Sequence, residues 1–216
     1  MPDRFADKLL QWYDNHGRHD LPWHHNRNAY RVWVSEIMLQ QTQVTTVIPY
    51  FEAFMERFPD VHALAEAPVD DVLSHWSGLG YYARARNLQK AAQTVVRDFD
   101  GEFPQTQEEL ESLTGIGRST AAAILAQAFG IRAAILDGNV KRVLARYHAI
   151  PGWPGQTAVL NQLWQRAEEH TPEQRVRDYT QGIMDLGAMV CTRSRPACDS
   201  CPLQEGCIAY AQGETS

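Results

Sequence analysis

The first 190 residues contain no cysteine, and only three of the 20 basic residues in the chain are lysines. There is also no long apolar run, no alternating β pattern, no internal repeat and no low-complexity segment. These absences exclude several classes of protein. No stretch approaches the roughly 18 apolar residues that a bilayer-crossing helix needs, so no membrane association is expected. The opening MPDRFADKLLQWYDNHGRHD carries charge every few residues and has no apolar leader core, which predicts a cytoplasmic protein. That compartment keeps thiols reduced, so the four cysteines, all between 191 and 207, do not read as disulfides. At 216 residues, with 44% hydrophobic and 21% charged residues, the chain can bury one large core or two smaller ones. The net charge of -6 argues mildly against nucleic acid as a partner. However, the acidic residues gather in EAPVDD (66–71), EELE (108–111) and EEHTPE (168–173), and 17 of the 20 basic residues are arginine. Arginine pairs bidentately with phosphate, so local basic faces remain open.

What is present is helical periodicity. Phe5, Leu9, Trp12 and Tyr13 form one stripe that starts after Asp3 and stops at Gly17. Thr106 with Glu109 predicts a capping box before LESL, and Thr171-Pro172 with Gln174 predicts a second. Gly78, Gly101 and Gly130 punctuate further helical stretches. The expectation is about ten helices of roughly 8–20 residues, an all-α protein.

The tail CTRSRPACDSCPLQEGC (191–207) is too polar and proline-rich to supply an apolar core. Four thiolates around a metal centre would replace that core. Structural zinc usually takes two C-x2-4-C knuckles, and here only Cys198 and Cys201 form one. A 4Fe–4S cluster also takes four thiolates. The spacing C-x6-C-x2-C-x5-C favours a metal over four unligated thiols and leaves zinc and iron–sulfur open.

LTGIGRSTAAAILAQAFG (113–130) reads as a helix end, a G-x-G turn and an alanine-rich helix. Gly115 and Gly117 permit a tight turn and a close approach to another molecule. The helix that begins near Ser119 would offer free N–H groups to a DNA phosphate. A lone G-x-G is more often an ordinary αα-hairpin turn, with Ser119 a plain first-turn residue. Glu36 lies in AYRVWVSEIMLQQTQV, where its helical neighbours are Val32, Trp33 and Leu39. Desolvation there would raise its pKa and keep it protonated as an acid, unless it snorkels to water. Asp137 directly precedes a helix starting near Asn139, whose N-terminus would keep it ionised. The bland alternative is a plain N-cap. One protonated and one ionised carboxylate is the pairing that breaks glycosidic bonds. In GLGYYARARN (78–87), Leu79 or Tyr81 on a turn could wedge into a base stack while Arg84 and Arg86 hold the backbone. Tyr82 reads as a core residue of the following helix.

GRHDLPW, SEIMLQQTQV, GLGYYARARN, LTGIGRSTA, ILDGNVKRVLAR, MDLGAM and the cysteine tail occur in this order. Together they resemble the catalytic region of adenine DNA glycosylases of the MutY type, within the helix–hairpin–helix superfamily of base-excision repair. The resemblance spans essentially the whole chain, although single motifs are shared with endonuclease III-like relatives. It implies two helical lobes: a six-helix barrel over 21–132, and a cluster lobe formed by 1–20 with 133–216. It also implies a 4Fe–4S cluster on Cys191, Cys198, Cys201 and Cys207, as a structural staple that holds Arg193 and Arg195 against DNA.

The implied partner is double-stranded DNA with adenine opposite 8-oxoguanine or guanine, bound by a monomer in the cytoplasm at the nucleoid. Adenine must be flipped out to be reached. By the resemblance Gln40 belongs to the DNA-contacting set, Gln41, Leu79 and Tyr81 fill or wedge the gap, and Trp23 and Gln181 line the adenine pocket. Glu36 protonates the purine and Asp137 stabilises the oxocarbenium-like sugar. Asn139 is assigned to the DNA-contacting surface and Lys141 to a phosphate. Lyase relatives carry a lysine nucleophile where this sequence has Ser119, so a monofunctional glycosylase is expected. The rivals are a thymine or oxidised-pyrimidine glycosylase of the same superfamily, and a non-catalytic DNA-binding module. The family usually continues into a domain that reads 8-oxoguanine, whereas this sequence stops at QGETS, which leaves selectivity over guanine open; the acidic charge balance predicts weak affinity.

Overall fold

The structure, a computed structural model, describes residues 4–215. Asp3, expected just ahead of the first helix, lies outside them. Twelve α-helices follow one another among the described residues. They are α1 (Arg4–His16), α2 (Ala29–Leu39), α3 (Val44–Arg57), α4 (Val61–Glu66), α5 (Val69–Trp76) and α6 (Ala83–Asp98). The series continues with α7 (Gln107–Ser112), α8 (Arg118–Ile124), α9 (Gly138–Tyr147), α10 (Thr157–His170), α11 (Val176–Met189) and α12 (Ile208–Gln212). No described residue lies in a strand, so the protein is all-α as its periodicity predicts. The chain divides into two compact units, one of His19–Phe129 and one of Met1–Arg18 with Gly130–Ser216.

In the His19–Phe129 unit, α2 is apolar on almost every side, with Tyr30, Val32, Trp33, Val34, Ile37 and Met38 all buried. Such a helix stands in the middle of its core. Asn28 caps it by accepting the Arg31 N–H at 2.9 Å. Phe51, Phe54, Phe58 and Trp76 are fully buried around it, with Phe54 and Trp76 edge to face. Burial of each such ring stabilises by about 1.5–3 kcal/mol. Thr106 caps α7: its hydroxyl accepts from the Glu109 N–H at 3.3 Å and donates to the Glu109 carboxylate at 2.6 Å, so the carboxylate meets the hydroxyl where the expected box would have it meet the Thr106 backbone N–H. The turn from α7 to α8 is pinned by buried Leu113 and Ile116. Gly115 stands there at φ +83°, and a Cβ would meet Asn87 Cβ at 3.1 Å. Both conformation and space therefore call for glycine.

In the other unit, α1 buries Phe5, Leu9 and Tyr13 as the stripe predicts, and Trp12 is half-buried. The second expected capping box is absent. Thr171 instead ends α10, its hydroxyl turned back to donate to the Ala167 carbonyl at 2.6 Å, and α11 starts only at Val176. That hydroxyl adds a second donor to a carbonyl that already accepts the Thr171 backbone N–H at 3.1 Å, and serves no orphan N–H of the next helix. A Cβ at Gly187 of α11 would stand 2.6 Å from Asn139 Cβ and 3.1 Å from Asn139 backbone. Only glycine lets α11 lie this close to the first turn of α9, and the residue leading into that turn is Asp137.

Candidate active site

Asp137 is the N-cap of α9, its Oδ1 accepting the Val140 N–H at 2.8 Å. Burial pushes its carboxyl above the ordinary carboxylate range, against the Val140 and Asn139 N–H groups and the Arg142 and Lys141 charges, which pull it down. The dipole argument expected a plain anion. Desolvation opposes that dipole here and outweighs it.

Farther along α9, Arg142 and Arg146 reach toward the cysteine tail. Arg142 Nη2 donates to Asn139 Oδ1 at 2.8 Å and to the Gly187 carbonyl at 2.5 Å, and its Nε donates to the Cys191 carbonyl at 2.6 Å. Arg146 Nη1 donates to Cys191 Sγ at 3.4 Å and to the Thr192 carbonyl at 2.7 Å, and Nη2 to the Arg193 carbonyl at 3.1 Å. Neither arginine was singled out in the sequence; the i, i+4 repeat within VKRVLAR was the available signal. Lys141 is half-buried on the same helix, while Arg193 and Arg195 are exposed.

Cys191, Cys198, Cys201 and Cys207 are all half-buried, none in a disulfide. They line one cavity together with Val143, Leu186, Val190 and Leu203. Burial pushes the Cys201 thiol up to about 11 and raises that of Cys207. No three His, Cys, Asp or Glu side chains among the described residues gather as they would around one ion. Four soft donors on the wall of one apolar cavity, with an arginine N–H aimed at a sulfur, suit a polynuclear metal–sulfur group.

Gln181 is buried on α11 and donates from Nε2 to Asp185 Oδ1 at 2.8 Å. Asp185 has no exposed surface, and it accepts the Arg18 backbone N–H at 2.7 Å and Arg18 Nε at 2.8 Å. Asp185 and Arg18 were missed because they lie 167 positions apart. Asp185 directs the Gln181 amide nitrogen toward itself and so fixes the amide orientation.

In the His19–Phe129 unit, Glu36 sits half-buried on α2 beside buried Val32 and Trp33. Trp23 is buried against Phe51, ring centroids 5.4 Å apart. Gln40 and Gln41 leave the end of α2 exposed, Gln41 at φ +59°. Tyr81 is 65% exposed at φ +50°, a conformation a non-glycine residue holds only where surroundings enforce it. Leu79, the other expected wedge, is buried at 6% exposure, and Tyr82, expected in the core, is 41% exposed. The reason is that Tyr82 precedes α6 rather than lying on its buried face.

Arg84 also departs from expectation. Its Nη1 donates to the carbonyls of Ile37 at 2.8 Å, Met38 at 3.3 Å and Gln40 at 2.6 Å. Its Nη2 donates to the carbonyls of Leu79 and Gly80, both at 3.3 Å. Burial pushes its pKa below the usual arginine value. A guanidinium committed to five carbonyls is not a phosphate ligand; Arg86, which is exposed, can be one. On the hairpin, Gly117 caps α8 with open space around it, and Ser119 is half-buried in the first turn.

Among the described residues no helix is long and apolar enough to cross a membrane. The chain is 46% identical over 206 residues to the adenine DNA glycosylase of Buchnera aphidicola subsp. Baizongia pistaciae, covering 95% of this chain and 58% of that protein. It is 46% identical over 219 residues to the Homo sapiens adenine DNA glycosylase, covering 97% of this chain and 40% of that one. The chain thus spans less than two thirds of the length of these relatives. The structure of a thermostable thymine-DNA glycosylase is similar at a TM-score of 0.87 and 28% identity, covering 96% of this chain and 95% of that one. Residues 34–169 match the pattern of the HhH-GPD superfamily base excision DNA repair protein, so the chain belongs to that superfamily.

Proposed function

We propose that this chain is the glycosylase part of an adenine DNA glycosylase. It removes adenine mispaired with 8-oxoguanine or guanine from double-stranded DNA by hydrolysing the N-glycosidic bond, and leaves the strand intact. The observation that carries the reading is Asp137: a carboxylate capping α9, held by two N–H groups beside Arg142 and Lys141, in a chain 46% identical to adenine DNA glycosylases. Adenine is a poor leaving group until its ring is protonated, and Glu36, set among apolar neighbours on α2, is the acid in this reading. As the bond breaks, positive charge develops on the sugar, and Asp137 opposes it. Gln41 and Tyr81, exposed and conformationally constrained, enter the space the flipped adenine leaves. Trp23 and Gln181 belong to the recognition of the base, and Asn139, Lys141, Arg86 and the Gly115–Ser119 turn to the backbone contacts.

Ser119 supports hydrolysis without strand cleavage, since no amine stands there to form a Schiff base. Cys191, Cys198, Cys201 and Cys207 would hold a 4Fe–4S cluster, whose bonds to the tail supply the cohesion its sequence lacks. A group with volume of its own suits donors spread over a cavity wall. The same reading places the protein in the cytoplasm at the nucleoid, as a monomer. Base release should be compared on A:8-oxoguanine, A:G, T:G and thymine-glycol duplexes. Release from the two adenine mispairs alone is expected. Release from T:G would move the chain to the thymine reading that the 28% identical structure suggests, and binding without release would make it a recognition module.

A further inference from the structure

Gln41 and Tyr81 are non-glycine residues at positive φ, both exposed, in two loops that are 40 positions apart. Each directly follows a residue whose carbonyl accepts from Arg84: Gln40 before Gln41, and Gly80 before Tyr81. The same guanidinium also holds two carbonyls in the last turn of α2, that of Met38 and that of Ile37, which also accepts the Gln40 N–H at 3.3 Å. Trp76 Nε1 adds a second donor to the Gly80 carbonyl at 3.1 Å, and the Arg84 guanidinium lies 5.4 Å from the Trp76 ring and 5.5 Å from that of Tyr81.

From this we infer that Arg84 is a positioning residue: its planar fork sets the Gln41 and Tyr81 loops at a fixed distance and in their constrained conformations before DNA arrives. The inference rests on the reading above that these two side chains enter the duplex. A fork with donors on separate nitrogens can span both loops at once, whereas the three donors of a lysine ammonium radiate from one nitrogen and do not cover the same spread of carbonyls. Arg84 would thus act on base extrusion from within the protein, without touching a phosphate.

Arg84→Lys, with Arg84→Gln as a second variant should the first fold poorly, tests this in two independent ways. In the free protein, amide hydrogen exchange should speed up together at 41–43 and 79–82 and stay unchanged elsewhere. Unchanged exchange in both segments overturns the proposal without reference to DNA. In single-turnover assays on an A:8-oxoguanine duplex, release should slow on the order of a hundredfold, as for an ångström-scale misplacement. The defect should shrink on a strand where adenine is already unpaired in a loop, and the salt slope of duplex binding should be native. An equal defect on both substrates would mean a merely structural role, and a slope reduced by roughly one unit would mean a lost phosphate contact; either overturns the proposal. Tyr81→Ala serves as the control. If it releases adenine at the native rate, the reading of Tyr81 itself falls, a failure that the exchange data would not show.

Discussion

Replacing Asp137 by asparagine separates the two jobs its side chain can do. As a cap it needs only an oxygen to accept the Val140 N–H 2.8 Å away, which asparagine supplies equally well. As chemistry it needs charge. Burial raises the Asp137 carboxyl, so between its unfolded and folded pKa values the folded chain binds the more protons. Stability therefore falls as pH rises through that window, and above it the anion weighs against the fold. Asp137→Asn should leave stability unchanged or slightly raised. Asp137→Ala loses the same charge and the cap as well, so the difference between the two variants isolates the cap. That difference should be about 1 kcal/mol, or roughly 2–4 °C in Tm for a chain of this size.

Base release should move the other way. A unit charge about 4 Å from a developing cation is worth about 4 kcal/mol at an effective dielectric of 20, which is roughly a thousandfold in rate. The assay is single-turnover adenine release under excess enzyme, beside thermal melts of the same preparations. Both variants should lose about three orders of magnitude in release, and only the alanine variant should lose Tm relative to asparagine. An asparagine variant that releases adenine within a few-fold of the native chain would leave Asp137 a plain N-cap.

Glu36→Gln should abolish base release while mispair binding persists; retained single-turnover release rules Glu36 out as the acid. Arg142 and Lys141 both pull the Asp137 carboxyl down, Arg142 the more strongly. Neutralising either should shift the acid limb of the pH–rate profile to higher pH, further for Arg142→Gln than for Lys141→Gln, and an unmoved limb would contradict the assignment. Asp185→Ala strands Arg18 and Gln181 next to a fully buried site, and urea unfolding should show a loss of about 3–5 kcal/mol; a loss near zero would show the network to be dispensable. The purified protein should carry about four iron atoms per chain with broad visible absorbance, and stripping them should expose 191–207 to protease. Stoichiometric zinc without iron would overturn the cluster.

What was legible in the sequence is what is local. The α1 stripe, the Thr106 cap and the break at Gly130 each depend on residues within a turn or two. Leu79, Tyr81 and Tyr82 show where that reach ends. The glycines of GLGYY announce that a side chain can project, but which one does so depends on Trp76 and Arg84 holding the Gly80 carbonyl. At Asp137 the helix dipole is readable from the residues that follow, whereas the burial that opposes it comes from the rest of its unit. Thr171 faced two helices, and proximity in sequence could not say which of them its hydroxyl would serve.

The arginines carry the same point further. Their excess over lysine reads as preparation for phosphate, yet several are spent inside. Arg84 serves carbonyls at the end of α2, Arg132 those of Glu168 and Thr171 at the end of α10, and Arg142 those of Gly187 and Cys191 around the end of α11. Each helix end leaves up to four carbonyls without partners. One planar guanidinium can answer several of them from separate nitrogens held in a fixed plane, a wider spread than the three donors of one ammonium nitrogen. The arginine bias is therefore in part a device for finishing helices that end without glycine. In the proposed reading a net charge of -6 then sits with DNA binding on different terms: the positive charge that would meet phosphate is a smaller set around the exposed Arg86, Arg193 and Arg195 and the half-buried Lys141. So small a set should show a shallow salt dependence of duplex affinity, and a steep one would return the interior arginines to the interface.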